Sequence, residues 1–195
     1  MPEIACSSEN AKIIPVRTVG ILLVCLLIHY IPGISDMLIY DRAAISDGEL
    51  WRLVSSPMVH YDKAHLYYNL MAFGIAGWCV EFISPGYFTI VCLSNAILIT
   101  LIMFIAMPEM NQYAGLSGIV CSLLVFYALH LFSESRWLSM AILMAISAKI
   151  VFELLNARSV LPYPNPSSFV IVPQSHLIGC LIAVIMFIFM KLKTN

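Results

Sequence analysis

The chain has 195 residues, 61% hydrophobic and only 11% charged, with a net charge of −1 and a mean hydropathy of +0.92. Soluble domains carry about 25% charged residues, so this chain holds more apolar surface than one aqueous core can hide, and lipid is its natural solvent. A near-zero charge with no basic block excludes nucleic acid as a partner class.

In chain order, residues 1–15 are polar and mixed, and read as a cytoplasmic tail. Arg17 then precedes an apolar run from Thr18 to Ile31, stopped by Pro32-Gly33. No small-x-small cleavage site follows, so the run reads as a retained first membrane helix and not a signal peptide. Residues 34–63 form the one long polar connection. They hold Glu49, Trp51, Arg52, Tyr40 and Tyr61, and predict a structured outer loop whose amphipathic residues settle at headgroup depth.

A second run spans Ala64 to Glu81, with His65 and Asn69 on its first turns. Ser84-Pro85-Gly86 turns the chain into a third, Tyr87 to Met107. A fourth runs from Gly115 to Phe132, a fifth from Trp137 to Leu155, and a sixth from Pro173 to Met190. A Pro-rich loop (156–172) joins the last two. Continuous apolar runs, without period-two alternation, predict a helical bundle over a barrel. Lys12 and Arg17 before the first run, and Lys191 and Lys193 after the last, place both ends in the cytoplasm. Arg42, Arg52 and Lys63 in the first loop count against that orientation.

Cys6, Cys25, Cys79, Cys92, Cys121 and Cys180 include no CxxC pair, and five lie inside apolar runs. They read as packing residues, not disulfides or zinc ligands. His29 and His130 read as helix-end residues, and His60 as a loop-anchoring hydrogen-bonder. No spacing of a standard metal site is present, and no cofactor is implied.

The second, fourth and sixth runs cross the bilayer in one direction. His65, Asn69, Ser117 and His176 each lie near the start of one of them, so they share one depth below one membrane face. Singly, each is ordinary packing or an interhelical contact. As one layer they are a catalytic constellation, because lipid makes polar groups costly. Ser117 needs a neighbouring base to be nucleophilic, and His176 is the natural one. No acidic residue is near either in sequence, so a Ser–His dyad is expected over a triad. Asn69, His65 and the Ser117 backbone N–H can stabilise an oxyanion. Gly115 permits a tight turn before the serine, while Gly118 and Gly179 let the fourth and sixth helices approach. Lys149 and Glu153, at i and i+4, predict an internal ion pair on the fifth helix; Glu153 falls towards the same outer face as Ser117 and His176, which leaves a substrate-facing role open.

At these residues the chain resembles the rhomboid intramembrane serine proteases. The resemblance rests on Glu49-x-Trp51-Arg52, His60, His65-x-x-x-Asn69, Gly115-Leu116-Ser117-Gly118 and His176-x-x-Gly179, over about residues 47–190. It implies an all-α integral membrane protein, a six-transmembrane-helix rhomboid-like bundle forming a single domain over 1–195. It also implies Ser117 as nucleophile, His176 as base, and His65, Asn69 and Gly115 as oxyanion and substrate-binding positions. Its partners would be membrane-anchored protein substrates and the bilayer. Lys149-x-x-x-Glu153, with no soluble domain and no seventh helix expected, is similar to the rhombosortase branch. That branch implies a bacterial inner-membrane enzyme opening to the periplasm and acting on C-terminal Gly-Gly sorting signals. The alternatives are a non-catalytic scaffold or chaperone for client helices, and a small transporter, for which the runs offer few charged residues besides Lys149.

Overall fold

The computed structural model describes residues 14–156, 158–160 and 171–194. Most of the expected N-terminal tail, Cys6 and most of the Pro-rich loop therefore lie outside the described residues. Within them the chain folds as α1 (Val16–Tyr30), α2 (Ile34–Leu38), β1 (Tyr40–Asp41), α3 (Arg42–Ser46), α4 (Arg52–Ser55), α5 (Lys63–Ile83), α6 (Pro85–Ala106), β2 (Gln112–Tyr113), α7 (Ser117–Leu131), α8 (Arg136–Asn156) and α9 (Pro173–Thr194), with one 3-10 turn at Ser56–Met58.

Helix starts follow local chemistry. The Asp41, Asp62 and Ser84 side chains accept the backbone N–H groups of Ala44, His65 and Tyr87, satisfying donors that have no intrahelical partner. Ser84 closes α5 and opens α6, with Pro85 at the first helical position, where a missing N–H costs nothing. The N-terminus of α1 is capped from another helix. Glu81, buried on α5, accepts the backbone N–H groups of Arg17 and Thr18 and the Thr18 hydroxyl, at 2.7–2.9 Å. Gly77 makes this approach possible, since a Cβ there would lie 2.8 Å from Thr18 Oγ1.

Four helices, α5, α6, α8 and α9, are long and apolar enough to cross a membrane. The α1 and α7 helices have 15 residues each, a rise of about 22 Å against a hydrocarbon core of about 30 Å. The expected set of six full-length spans is thus four long helices and two shorter apolar ones. The fourth apolar run begins as a helix only at Ser117, because Gln112–Tyr113 is a strand and Gly115 has φ +112°. Outward faces carry Leu27 on α1, Ile75 and Trp78 on α5, Leu155 on α8 and Phe189 on α9, all exposed, as lipid-facing surfaces require.

The centre of the bundle is α7. Every residue from Gly118 to Leu123 is buried, as expected of a helix that is apolar all round. Its closest neighbour is α9. A Cβ on Gly179 would come within 2.3 Å of the Gly118 carbonyl oxygen, and one on Gly118 within 3.0 Å of the Ser175 carbonyl oxygen. The two glycines therefore seat the helices backbone to backbone.

Residues 34–63 fold back on themselves. Tyr40 and Arg52, expected at headgroup depth, are buried. The Arg52 guanidinium donates to the Asp36 and Ile39 carbonyls at 2.8 Å and pairs with Glu49 at 2.6 Å. Bonding its donors inside the loop stabilises this buried cation more than an interfacial setting would. Trp51 is exposed, as an interfacial residue would be, and donates Nε1–H to the Met37 carbonyl. Arg42 donates to four carbonyls at the end of α6, those of Met103, Phe104, Met107 and Met110. The loop is tied to the segment before Ser117 by β1–β2, which pair antiparallel with Tyr40 opposite Tyr113.

Candidate active site

Ser117 is the first residue of α7 and His176 lies on the first turn of α9. Their side chains meet, with His176 Nε2 2.8 Å from Ser117 Oγ. The hydroxyl and the imidazole are joined because Gly118 and Gly179 remove the side chains that would hold α7 and α9 apart.

His65 and Asn69 reach the same place from the first turns of α5. All four side chains line one cavity of about 240 Å³, room for several water molecules. Tyr61, Tyr68 and Ile146 form part of its remaining wall. Asn69 Nδ2 is buried without a hydrogen-bond partner among the described residues, so it is a donor free to meet an acceptor in the cavity. Gly115 is fixed here by two demands. Its φ of +112° disfavours any L side chain, and a Cβ would lie 2.6 Å from His65 Nε2. Backbone contacts hold the turn: Gly115 N–H donates to the Ser56 carbonyl, and Tyr113 OH to the Gly115 carbonyl at 3.3 Å.

The expectation of a serine and histidine with no acidic residue beside them is not met. Glu153, on the C-terminal part of α8, places Oε2 2.8 Å from His176 Nδ1. The same oxygen accepts from Lys149 Nζ at 2.8 Å, forming the expected i,i+4 ion pair, and Lys149 Nζ lies 3.1 Å from His176 Nδ1. Ser117, His176, Glu153 and Lys149 thus form one connected chain of polar groups across three helices. Searching the sequence neighbourhoods of Ser117 and His176 misses Glu153. Direction of travel does place the end of the fifth run level with the beginnings of the fourth and sixth, at the face expected to be the outer one, but it does not give the contact with His176.

His60 differs from expectation. Its ring is buried edge-on against His65, with centroids 5.0 Å apart, and its nitrogens make no well-formed hydrogen bond. Burial, with the nearby His65, pushes its imidazole down to about 3, so it is a neutral packing group in this loop. Tyr61, stacked on His65 at 6.0 Å, is pushed up to about 12 by burial. His29 and His130 lie in the last turns of α1 and α7. The five described cysteines are free thiols.

No curated protein matches the chain. A model of the Rhomboid domain matches residues 47–192, a stretch that begins inside the folded loop and ends on α9. The chain is an integral membrane protein with a part-buried serine–histidine contact, and it belongs to the rhomboid family, whose members are generally intramembrane serine proteases.

Proposed function

We propose that the chain is an intramembrane serine endopeptidase, with Ser117 as nucleophile and His176 as general base, acting on membrane-anchored proteins near a membrane segment. The observation that carries this is the 2.8 Å separation of Ser117 Oγ and His176 Nε2 in a cavity large enough for water. In the acylation step Oγ attacks the scissile carbonyl carbon and its proton passes to Nε2. The oxyanion is met by Asn69 Nδ2, the His65 ring and the N–H groups at the start of α7, which have no intrahelical acceptor. The C–N bond then breaks, and the leaving amine takes the proton from Nε2. Water, deprotonated by the same nitrogen, hydrolyses the ester.

The reading includes a six-crossing arrangement in which α1 and α7 are short members, both ends cytoplasmic and the cavity facing the outer side of a bacterial inner membrane. Basic residues at Arg17 and Lys191 support it. Impermeant labelling of single cysteines placed next to Ile14 and Lys191 should report both ends on one side, and opposite sides would refute the arrangement.

The test of the chemistry is a reporter-cleavage assay in membranes. Ser117→Ala and His176→Ala should each abolish cleavage, and Ser117→Ala should abolish labelling by a fluorophosphonate. Full cleavage in either variant sinks the reading. An unlabelled parent whose biological effect survives Ser117→Ala would instead favour a scaffold that binds client helices. Within the protease reading, the Lys149-x-x-x-Glu153 pair supports the rhombosortase-like specificity, for C-terminal Gly-Gly signals. A cavity of about 240 Å³ walled in part by Tyr61 and Tyr68 has room for such small residues. Mass measurement of a Gly-Gly-tailed protein, with the parent and with Ser117→Ala, decides it: an unchanged mass with an active parent excludes that specificity.

A further inference from the structure

We infer that Glu153 is a positioning residue for His176, completing a Ser–His–Glu arrangement whose buried carboxylate is held in the membrane by Lys149. The inference rests on the protease reading above and adds the group that sets the state of its base.

Geometry carries the argument. Glu153 is 2% exposed and His176 4%, so neither can satisfy its polar atoms with bulk water. A carboxylate oxygen only accepts. For Oε2 to lie 2.8 Å from Nδ1, Nδ1 must carry the proton, since two lone pairs facing each other at that distance would repel. With the proton on Nδ1, the lone pair of the neutral ring is on Nε2, the atom 2.8 Å from Ser117 Oγ. Glu153 thus selects the one tautomer that can accept the serine proton. The opposite tautomer would let Nδ1 accept from Lys149 Nζ, but at the longer distance of 3.1 Å and with Oε2 facing a lone pair. When Nε2 takes the proton, the ring becomes positive beside a fixed negative charge, and the carboxylate keeps its own state throughout.

A lone carboxylate inside a membrane helix is costly. Lys149, one turn earlier on α8, offsets that cost by donating to the same Oε2 at 2.8 Å, while its own side chain is 31% exposed on the cavity side. The ammonium stays near water and the carboxylate stays at the histidine. Ser117, His65, Asn69, Tyr113, Cys121 and Ser175 also line the cavity, while Glu153 at 2.8 Å and Lys149 at 3.1 Å are the groups that meet Nδ1, and of these two only the carboxylate accepts its proton.

The test is the full-length enzyme in detergent or vesicles, assayed with a reporter substrate. Glu153→Gln keeps the shape but removes the negative charge beside the imidazolium that forms when Nε2 takes the serine proton, whichever amide atom faces Nδ1. It should lower kcat about a thousandfold or more with KM little changed, and Glu153→Asp should recover part of the loss. A melting midpoint close to that of the parent separates positioning from a structural role. If Glu153→Gln does not fold, the double variant Lys149→Met/Glu153→Gln removes both charges and leaves no unpaired ion, and it should fold and be equally slow. Parental kcat in either variant overturns the inference. The two readings fail separately: cleavage by Ser117→Ala would end the protease reading, whereas an inactive Ser117→Ala beside a fully active Glu153→Gln would end only the role of Glu153.

Discussion

Asn69 and His60 are both buried side chains with a nitrogen that makes no well-formed hydrogen bond among the described residues, and the surroundings give them opposite parts. Asn69 Nδ2 lines the cavity beside Ser117, where an oxyanion would form. Asn69→Ala should lower kcat about 10²–10³-fold, the usual loss for one oxyanion donor. Its melting midpoint should barely move, because Nδ2 has no hydrogen-bond partner among the described residues. Kinetics and melting on the same preparation check this. His60 packs against His65 and titrates far below an ordinary imidazole, at about 3. Unfolding returns it to about 6.5, so the unfolded chain binds the extra proton between those values. Its contribution is neutral above about pH 6.5, and stability falls as pH drops towards 3, by about 1.4 kcal/mol per unit. Melting followed from pH 7 to pH 4 should therefore fall more steeply for the parent than for His60→Gln, and parallel curves would contradict the assignment.

At the scale of elements, the site is a consequence of how closely α7 and α9 approach. A methyl group at residue 179 would sit 2.3 Å from the Gly118 carbonyl oxygen, so Gly179→Ala must push the helices apart or rotate one. Membrane insertion should survive, since the helix stays apolar, but reporter cleavage should drop by at least tenfold, the cost of misplacing reacting groups by about an ångström. Near-parental cleavage would show that the separation of the helices is not what aligns Ser117 and His176. This juxtaposition was legible in the sequence: Ser117, His176, His65 and Asn69 all sit near the starts of helices that run in one direction. Glu153 could be placed at the same outer face, but its bond to His176 was not legible, because it stands near the end of a helix running the other way and no local spacing joins the two. The burial of Arg52 and Tyr40 was also hidden. Their amphipathic character suits an interface, and only the fold of the loop shows that backbone carbonyls of Asp36 and Ile39 replace water around the guanidinium. The late start of α7 has a similar cause, since Gln112 and Tyr113 are drawn into a strand by a partner some seventy residues earlier.

At the scale of the whole molecule, the order of the elements along the chain has a consequence in time. The nucleophile of the proposed enzyme lies on α7, its positioning carboxylate on α8 and its base on α9. A growing chain therefore releases Ser117, and then Glu153, from the ribosome before His176 emerges. Lys149 and Glu153 can pair within α8 alone, so the fifth helix does not have to wait for α9 to neutralise its charge. The proposed enzyme would thereby be inactive until α9 has joined α7. Stalled ribosomal chains ending before Pro173 should insert yet fail to react with a fluorophosphonate, while chains that have released α9 should label. Labelling of the stalled chains would mean that Ser117 is activated without His176. Under the proposed function, the same ordering would delay any proteolysis of the newborn protein's neighbours in the translocation channel until α9 has emerged.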